Sequence, residues 1–561
     1  MASLQVQAWV SRVMVQATTE KNARSSANGV ADVSIVETVA TWKAKGEPFG
    51  CEASTTTSIG PTATAFHANA HVEWKPLLNT SSPFVQLQID FPAMNEHGNK
   101  SHTGGDEFVL ILISWTHDGT AYKQAHPAMD LNSGTYRVLF AVPRQGVQQY
   151  TLELFHFYSC YQGLGPNKPG YNFSKVEWGP QKLTNAALDQ LLKHHLPSSF
   201  LHNNQSKAIN HHHHSTYFYS THQPYCQNSQ QGMDDYTNPA TSLWVEHKND
   251  YSNPYFITLN AKWSSVHCQP SSSFPHQPKP DNYEVLRIGD STMPGKVLEI
   301  GDPFHHYVEF GRGFVMHSKW PTYLMEQLRN QTASLQQQQQ QENNHHRVLL
   351  FSGGLHQLFQ RNPYNQHEFT VVRGYNVPTV ADLLTRMVCQ LAIVHPNHKL
   401  LWVGVTPVQQ HIYDKVDNTD HNILWLNALL RQRIVDEHQG KLASLCANVD
   451  VGNLWSIPDD RGNAHNKTFS RQVFQILQHN ETAEEQEWAN IDRPQKSVYG
   501  DRVVAFADIH DSLLARPECF KDKIHDIRKV GSIPNKPNLM ATQHNVILDT
   551  LSRMRALMEE P

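Results

Sequence analysis

Three short stretches of this sequence hold the residue types that nucleophilic catalysis needs. Gly289-Asp290-Ser291-Thr292 directly follows the apolar run Val285-Leu-Arg-Ile and precedes Pro294. A serine at the end of a buried strand faces a crevice; its hydroxyl can attack a carbonyl carbon, and its backbone N–H can help hold the oxyanion that forms. Gly289 permits the tight turn this requires. Ser352-Gly353-Gly354-Leu355-His356 follows a second apolar run. There Gly354 can bring a bare N–H close to a substrate, and His356, two residues on, can point into the same crevice. Asp522-Lys523-Ile524-His525 comes late in the chain, and its spacing lets the carboxylate turn back to the imidazole. Asp522 would fix the tautomer of His525, and His525 would take the proton of Ser291. Each stretch also has an ordinary reading: a serine that caps a helix, a flexible turn with a surface histidine, and a chance Asp-x-x-His. His510 and His544 are competing imidazoles nearby.

Histidine is the outlier of the composition, with 35 in 561 residues. Its one run, His211 to His214, alternates direction on an extended chain, so the four rings cannot converge on one ion. The run reads as part of a low-charge, His- and Gln-rich surface, with a metal patch or pH sensor as the functional alternative. The glutamine run within residues 335 to 341 reads as a solvated insertion. The seven cysteines, Cys51, Cys160, Cys226, Cys268, Cys389, Cys446 and Cys519, contain no Cys-x-x-Cys pair, which argues against a zinc ribbon, and their odd number leaves one unpaired. No metal and no cofactor is expected.

The elements that must position these residues fall into two textures. At about 150 residues per domain the length suggests three or four units, or two larger ones. Residues 1–30 read as a loose N-terminus. Residues 31–200 carry short alternating runs at Val33, Phe84, Phe108 and Tyr150, separated by turn residues. They predict an immunoglobulin- or filamin-like β-sandwich, with a hairpin from the Gly134 turn through Pro143 to a second strand near Gln149. Residues 201–280 read as a His/Ser/Pro-rich irregular connection, clipped by Cys226 and Cys268. From 281 to 561 short apolar runs at Val285, Val348, Leu400 and Val503 alternate with helical patterns over Val377–Val394, Ile423–Glu437 and Ala541–Met558. This alternation predicts a mainly parallel sheet with helices on both faces, whose sites lie at the carboxyl ends of its strands.

Charge excludes some classes of partner. Lys and Arg number 46 against 51 Asp and Glu, a formal net charge of −5, so no global basic field favours nucleic acid. No apolar run reaches the roughly 18 residues of a membrane-spanning helix. The opening MASLQVQAWVSRVMVQATTEKN is interrupted by Gln, Ser and Arg and reads as a poor signal peptide. Asn-x-Ser/Thr sequons at Asn79, Asn99, Asn172, Asn204, Asn330, Asn466 and Asn480, with Cys160, Cys226 and Cys268 in loop-like sequence, tilt the expectation toward a secreted glycoprotein or one of the secretory pathway.

The ordered combination of the three stretches resembles the SGNH/GDSL hydrolase plan in its PC-esterase branch. That branch holds the NXPE family (neurexophilin and PC-esterase domain proteins), sialic-acid O-acetyltransferases and plant polysaccharide O-acetyltransferases. The NXPE resemblance covers roughly residues 80 to 560. It rests on Gly134-Thr-Tyr with its following strands, Arg287-Ile-Gly-Asp-Ser-Thr, Gly354-Leu-His and Asp522-Lys-Ile-His. It implies a C-terminal three-layer α/β/α domain with Ser291 as nucleophile, His525 as general base and Asp522 as its orienting acid. It also implies oxyanion donors from Ser291 and Gly354. The wider plan has an Asn where His356 stands, so His356 is a departure that could still donate an N–H. For the remaining block glycine, Gly311 and Gly313 are the candidates. The implied activity is serine-dependent O-acetyltransfer or acetylester hydrolysis on a glycan, with an acetyl donor in the transfer case. The alternative is a surface or secreted binding protein of the NXPE type with a degenerate site.

Overall fold

The computed structural model of the chain describes residues 58–59, 69–76, 84–95, 99–100, 106–116, 119–131, 133–143, 147–158, 181–183, 242–247, 262–266, 283–289, 306–309, 320, 322–330, 346–355, 359–361, 371–373, 377–407, 420–452, 486–488, 498–510 and 514. Its first part is antiparallel. The strands are Ser58–Ile59 (β1), His71–Pro76 (β2), Phe84–Pro92 (β3), Met94–Asn95 (β4), Glu107–Thr116 (β5), Thr120–Pro127 (β6), Met129–Asp130 (β7), Thr135–Pro143 (β8), Val147–Tyr158 (β9), Gln181–Leu183 (β10), Ser242–His247 (β11) and Lys262–Ser265 (β12). One sheet has the order β2-β3-β8-β7 and the other β10-β9-β5-β6-β11-β12, while β1 pairs with β4.

Period-two alternation explains how these two sheets pack. Val85, Leu87, Ile89 and Phe91 of β3 and Tyr136, Val138, Phe140 and Val142 of β8 share one core with Phe108, Leu110 and Leu112 of β5 and Leu152 and Leu154 of β9. The sheets therefore lie face to face, each contributing its apolar side. Tyr136 sits inside this core, 4.7 Å from the Phe108 ring, and its hydroxyl accepts the Asp106 N–H at 2.8 Å. Gln124 joins the sheets: its Oε1 accepts the Ala141 N–H at 2.9 Å and its Nε2 donates to the Ser242 carbonyl at 3.1 Å.

Two features differ from the sequence reading. The expected hairpin from Gly134 through Gln149 is absent: β8 pairs with β3 and β7, and β9 pairs with β5 and β10. The chain crosses between the sheets after Pro143. Alternation fixes which face of a strand is buried and leaves its partner open. Further, β11 and β12 extend the six-stranded sheet from within 201–280, the span read as an irregular connection. The buried Leu243, Trp244 and Val245 are too short a run to stand out from the Ser-, Asn- and His-rich sequence around them. The N-terminus, the histidine run, Cys226, Cys268, the glutamine run and the closing helix at 541–558 lie outside the described residues.

The later part holds a parallel sheet. Its strands are Tyr283–Gly289 (β13), His306–Glu309 (β14), His346–Ser352 (β15), Lys399–Val403 (β18) and Val504–Ala507 (β19), with a small antiparallel pair, Phe359–Arg361 (β16) and Val371–Arg373 (β17), between the third and fourth. The order is β14-β13-β15-β18-β19, and every neighbouring pair is parallel. Helices cover 322–330 (α1), Val377–Val394 (α2), Asp420–Arg431 (α3) and Leu442–Leu445 (α4), α3 continuing through a π-helical turn, Gln432–Glu437. Leu349, Phe351, Leu400, Trp402, Val504 and Phe506 pack with these helices in one core. The alternate residues Val348, Leu350, Leu401 and Val403 are equally buried and point to the opposite face, as a parallel sheet covered on both sides requires. The expected helix over Val377–Val394 and the strands at Val285, Val348, Leu400 and Val503 are present.

Two buried devices hold the helices to this sheet. A disulfide joins Cys389 of α2 to Cys446, the residue after α4, across a sequence separation of 57. At the carboxyl end of α2, the Arg502 guanidinium donates to the carbonyls of Ala392 at 2.7 Å and of His395 and His398 at 2.9 Å each. A cation there satisfies carbonyls that the helix end leaves open. The same corner buries two imidazoles, with His395 Nε2 2.9 Å from the Tyr323 hydroxyl and its ring 4.9 Å from that of His398. Burial, then the neighbouring His398 and Arg502, holds His395 down to about 3. Burial, then Arg347 and Arg502, holds His398 down to about 4.

Two outcomes follow from this corner and this bridge. Closing a loop of 57 residues is worth about 4 kcal/mol in the chain-entropy account. Cys389→Ser with Cys446→Ser should therefore lower stability by about that much, read as a shifted denaturant midpoint beside the oxidised parent. For the histidines, the unfolded chain binds protons near pH 6.5 while the folded one resists them down to about 3 and about 4. Stability is complete above about pH 6.5 and falls as pH drops toward 4, by up to about 1.4 kcal/mol per pH unit for each ring. Unfolding midpoints across pH 7 to 4 should show this slope in the parent and a shallower one in His398→Gln.

Candidate functional site

The sheet order contains one reversal. The chain places β14 on one side of β13 and then β15, β18 and β19 on the other. In open α/β sheets the crevice for a ligand lies outside the carboxyl ends of the strands at such a switch point, here between β13 and β15. The register makes the two strand ends level, with Gly289 directly opposite Ser352. These ends lead into the first two stretches singled out above. Ser291 follows two residues after Gly289 in the chain, and Gly354 two residues after Ser352.

Of the expected site residues, Gly354 is among the described ones. Ser291, His356, Asp522 and His525, together with Gly311 and Gly313, lie outside them. Gly354 has φ +130°, a region that side-chain-bearing residues rarely enter, and a Cβ there would stand 2.6 Å from Leu426 Cδ2, 3.1 Å from Val405 Cγ2 and 3.3 Å from Leu384 Cδ1. The turn after β15 is thus seated directly on α2, α3 and the end of β18. Leu355 beside it is fully buried. The backbone of Gly354 can approach a reacting centre because nothing but hydrogen stands at its α-carbon.

The neighbouring strand ends are tied by a side chain that the sequence reading passed over. Asn427 of α3 is fully buried. Its Oδ1 accepts the Val405 N–H at 2.8 Å, and its Nδ2 donates to the Val405 carbonyl at 3.0 Å and to Asp508 Oδ1 at 3.1 Å. Val405 follows β18 and Asp508 follows β19. Asp508 Oδ1 also accepts the His510 N–H at 3.0 Å. Gly404 completes the fit, since a Cβ there would meet the Asn427 side chain at 3.0–3.2 Å. His510, one of the competing imidazoles, is therefore a fully buried residue on this edge. The signal for Asn427 was present: Ile423, Leu426, Leu430 and Ile434 mark the buried stripe of the helix, and Asn427 is a polar residue at a stripe position.

Chemically, this edge sets the Gly354 turn beside a strand end that leads in sequence to a serine, while the Gly404 N–H is already given to the Ala507 carbonyl at 2.8 Å. Among the described residues no group of three or more His, Cys, Asp or Glu could hold a metal ion, and no helix is long and apolar enough to cross a membrane. Gly354→Ala must relieve both the backbone strain and the Leu426 contact, a cost of about 1–3 kcal/mol. It should lower the thermal midpoint, and adding Leu426→Ala should cost less than the sum of the two single losses; an unchanged midpoint for Gly354→Ala would mean the turn is not seated as described.

No protein-family model, curated protein or solved structure matches the chain.

Proposed function

We propose that the chain performs acyl-ester chemistry on carbohydrate hydroxyls, as a glycan O-acetyltransferase or O-acetylesterase with Ser291, His525 and Asp522 as its triad. The observation that carries this reading is the level pairing of Gly289 with Ser352 at the switch point. It brings the strand leading to Ser291 beside the turn that holds Gly354. The fold reading that goes with it is an SGNH-like α/β/α domain, supported by the parallel order and its two buried faces. An immunoglobulin- or filamin-like sandwich precedes it, supported by the face-to-face antiparallel sheets.

In this reading Ser291 Oγ attacks the acetyl carbonyl while His525 takes its proton and Asp522 steadies the imidazolium. The tetrahedral oxyanion is held by the N–H groups of Ser291 and Gly354, with His356 as a further donor. Collapse breaks the ester C–O bond, and His525 returns the proton to the departing oxygen, leaving an acetyl-serine. Water then attacks to complete hydrolysis, or a sugar hydroxyl attacks to complete transfer; in both, His525 takes the incoming proton and Ser291 recovers it. Passage through an oxidising compartment fits the buried Cys389–Cys446 bridge and the exposure of Asn99 and Asn330, each within a sequon.

A serine-directed fluorophosphonate tests the reading. The purified chain should be labelled at Ser291, and Ser291→Ala should abolish the label while leaving the thermal midpoint unchanged within a few degrees. Absence of label on folded parent protein would favour the binding-protein alternative instead.

A further inference from the structure

Resting on the acyl-transfer reading above, we propose that Asn427 is a positioning residue for the Ser291 site. It locks the turns after β18 and β19, the second of which leads toward the general base, to the turn of α3 whose Leu426 seats the oxyanion donor Gly354. Two adjacent residues of that helix do this together. Leu426 packs under Gly354, so closely that a Cβ on the glycine would lie 2.6 Å from its Cδ2. Asn427 grips both backbone groups of Val405 and reaches Asp508. The strand ends after β15, β18 and β19 thereby share one reference point, and the chain beyond Asp508 goes on to Asp522 and His525.

The chemistry of the position supports a directional role. Asn427 is fully buried in a stripe whose other members, Ile423, Leu426, Leu430 and Ile434, are apolar. An amide is costly in such a place unless its donors and acceptor are engaged, and here the acceptor and the nitrogen are both used. An aliphatic side chain would fill the same volume without fixing the angle between two turns. Gly404 makes room for the amide and for nothing larger on that side. Asp508 passes the constraint on, since the oxygen that accepts from Asn427 also accepts the His510 N–H at the start of the segment leaving β19.

The test measures fluorophosphonate labelling of the full chain in two variants. Asn427→Asp keeps the shape but loses the donor to the Val405 carbonyl and sets two carboxylates against each other; at low pH they can share a proton and restore the link to Asp508 alone, while at high pH they repel. Asp508→Ala cuts the link to β19 and leaves the grip on Val405. Misplacement on the 1 Å scale can cost up to about a hundredfold in rate. Asn427→Asp should lose about tenfold in maximal labelling rate at pH 8, with the probe concentration for half-saturation little changed, and should recover part of that loss as pH falls to 5. Asp508→Ala should lose about fivefold at all pH values while remaining folded by near-ultraviolet circular dichroism. If Asn427→Asp does not fold, Asp508→Ala decides. Folded variants that label as fast as the parent overturn the assignment and leave the acyl-transfer reading standing. A parent that is not labelled, or whose label survives Ser291→Ala, overturns that reading and this assignment with it.

Discussion

The parallel ladder between β13 and β15 is the interaction on which the later half of the chain depends. Seven consecutive residue pairs hold it, from Tyr283 opposite His346 to Gly289 opposite Ser352. Because a slip of one residue would turn every side chain to the other face, the buried Leu349 and Phe351 on one side and Val348 and Leu350 on the other lock the register from both faces. That lock makes the two strand ends level. A chemistry that needs a nucleophile from one turn and N–H donors from the next needs that levelness more than it needs any single side chain.

What the ladder sets, the helices then hold in place. α2 is fastened twice in its carboxyl half, by the Cys389–Cys446 bridge and by the Arg502 guanidinium at its last residues. α3 lies across the carboxyl edge, with Leu426 and Asn427 beneath three successive turns. Buried polar groups stand at both ends of the sheet. The imidazoles of His395 and His398 and the Arg502 guanidinium gather at the amino end of β18, where they brace structure, and Asn427, Asp508 and the buried His510 gather at the carboxyl end.

Much of this was legible in the sequence for a plain reason. The runs at Val348, Leu400 and Val503 are apolar throughout and that at Val285 is broken only by Arg287, as strands buried on both faces lead one to expect, and α2 shows its period over its full length. The glycine turns after β13 and β15 could be read as strand ends because the apolar runs stop there. Other features depend on contacts that no local pattern encodes. The crossing of the chain between β8 and β9 follows from which strand reached which sheet. The strands β11 and β12 are too short to announce themselves. The grip of Asn427 on Val405 and Asp508 joins residues 22 and 81 apart in sequence. An amide in an apolar stripe was visible, but its partners were not.

The way β11 joins its sheet bears on the making of the protein. It pairs antiparallel with β6, and the Gln124 amide that bonds Ser242 spans 118 residues of chain. Until that distant segment emerges from the ribosome, β6 is an edge strand with open backbone groups, the kind of template on which another chain can pair. At about 5–20 residues per second the wait is roughly 6 to 24 seconds. The nascent sandwich therefore passes through an incomplete sheet of appreciable lifetime, and a chaperone or a slow neighbour in the same polysome would meet β6 before β11 does.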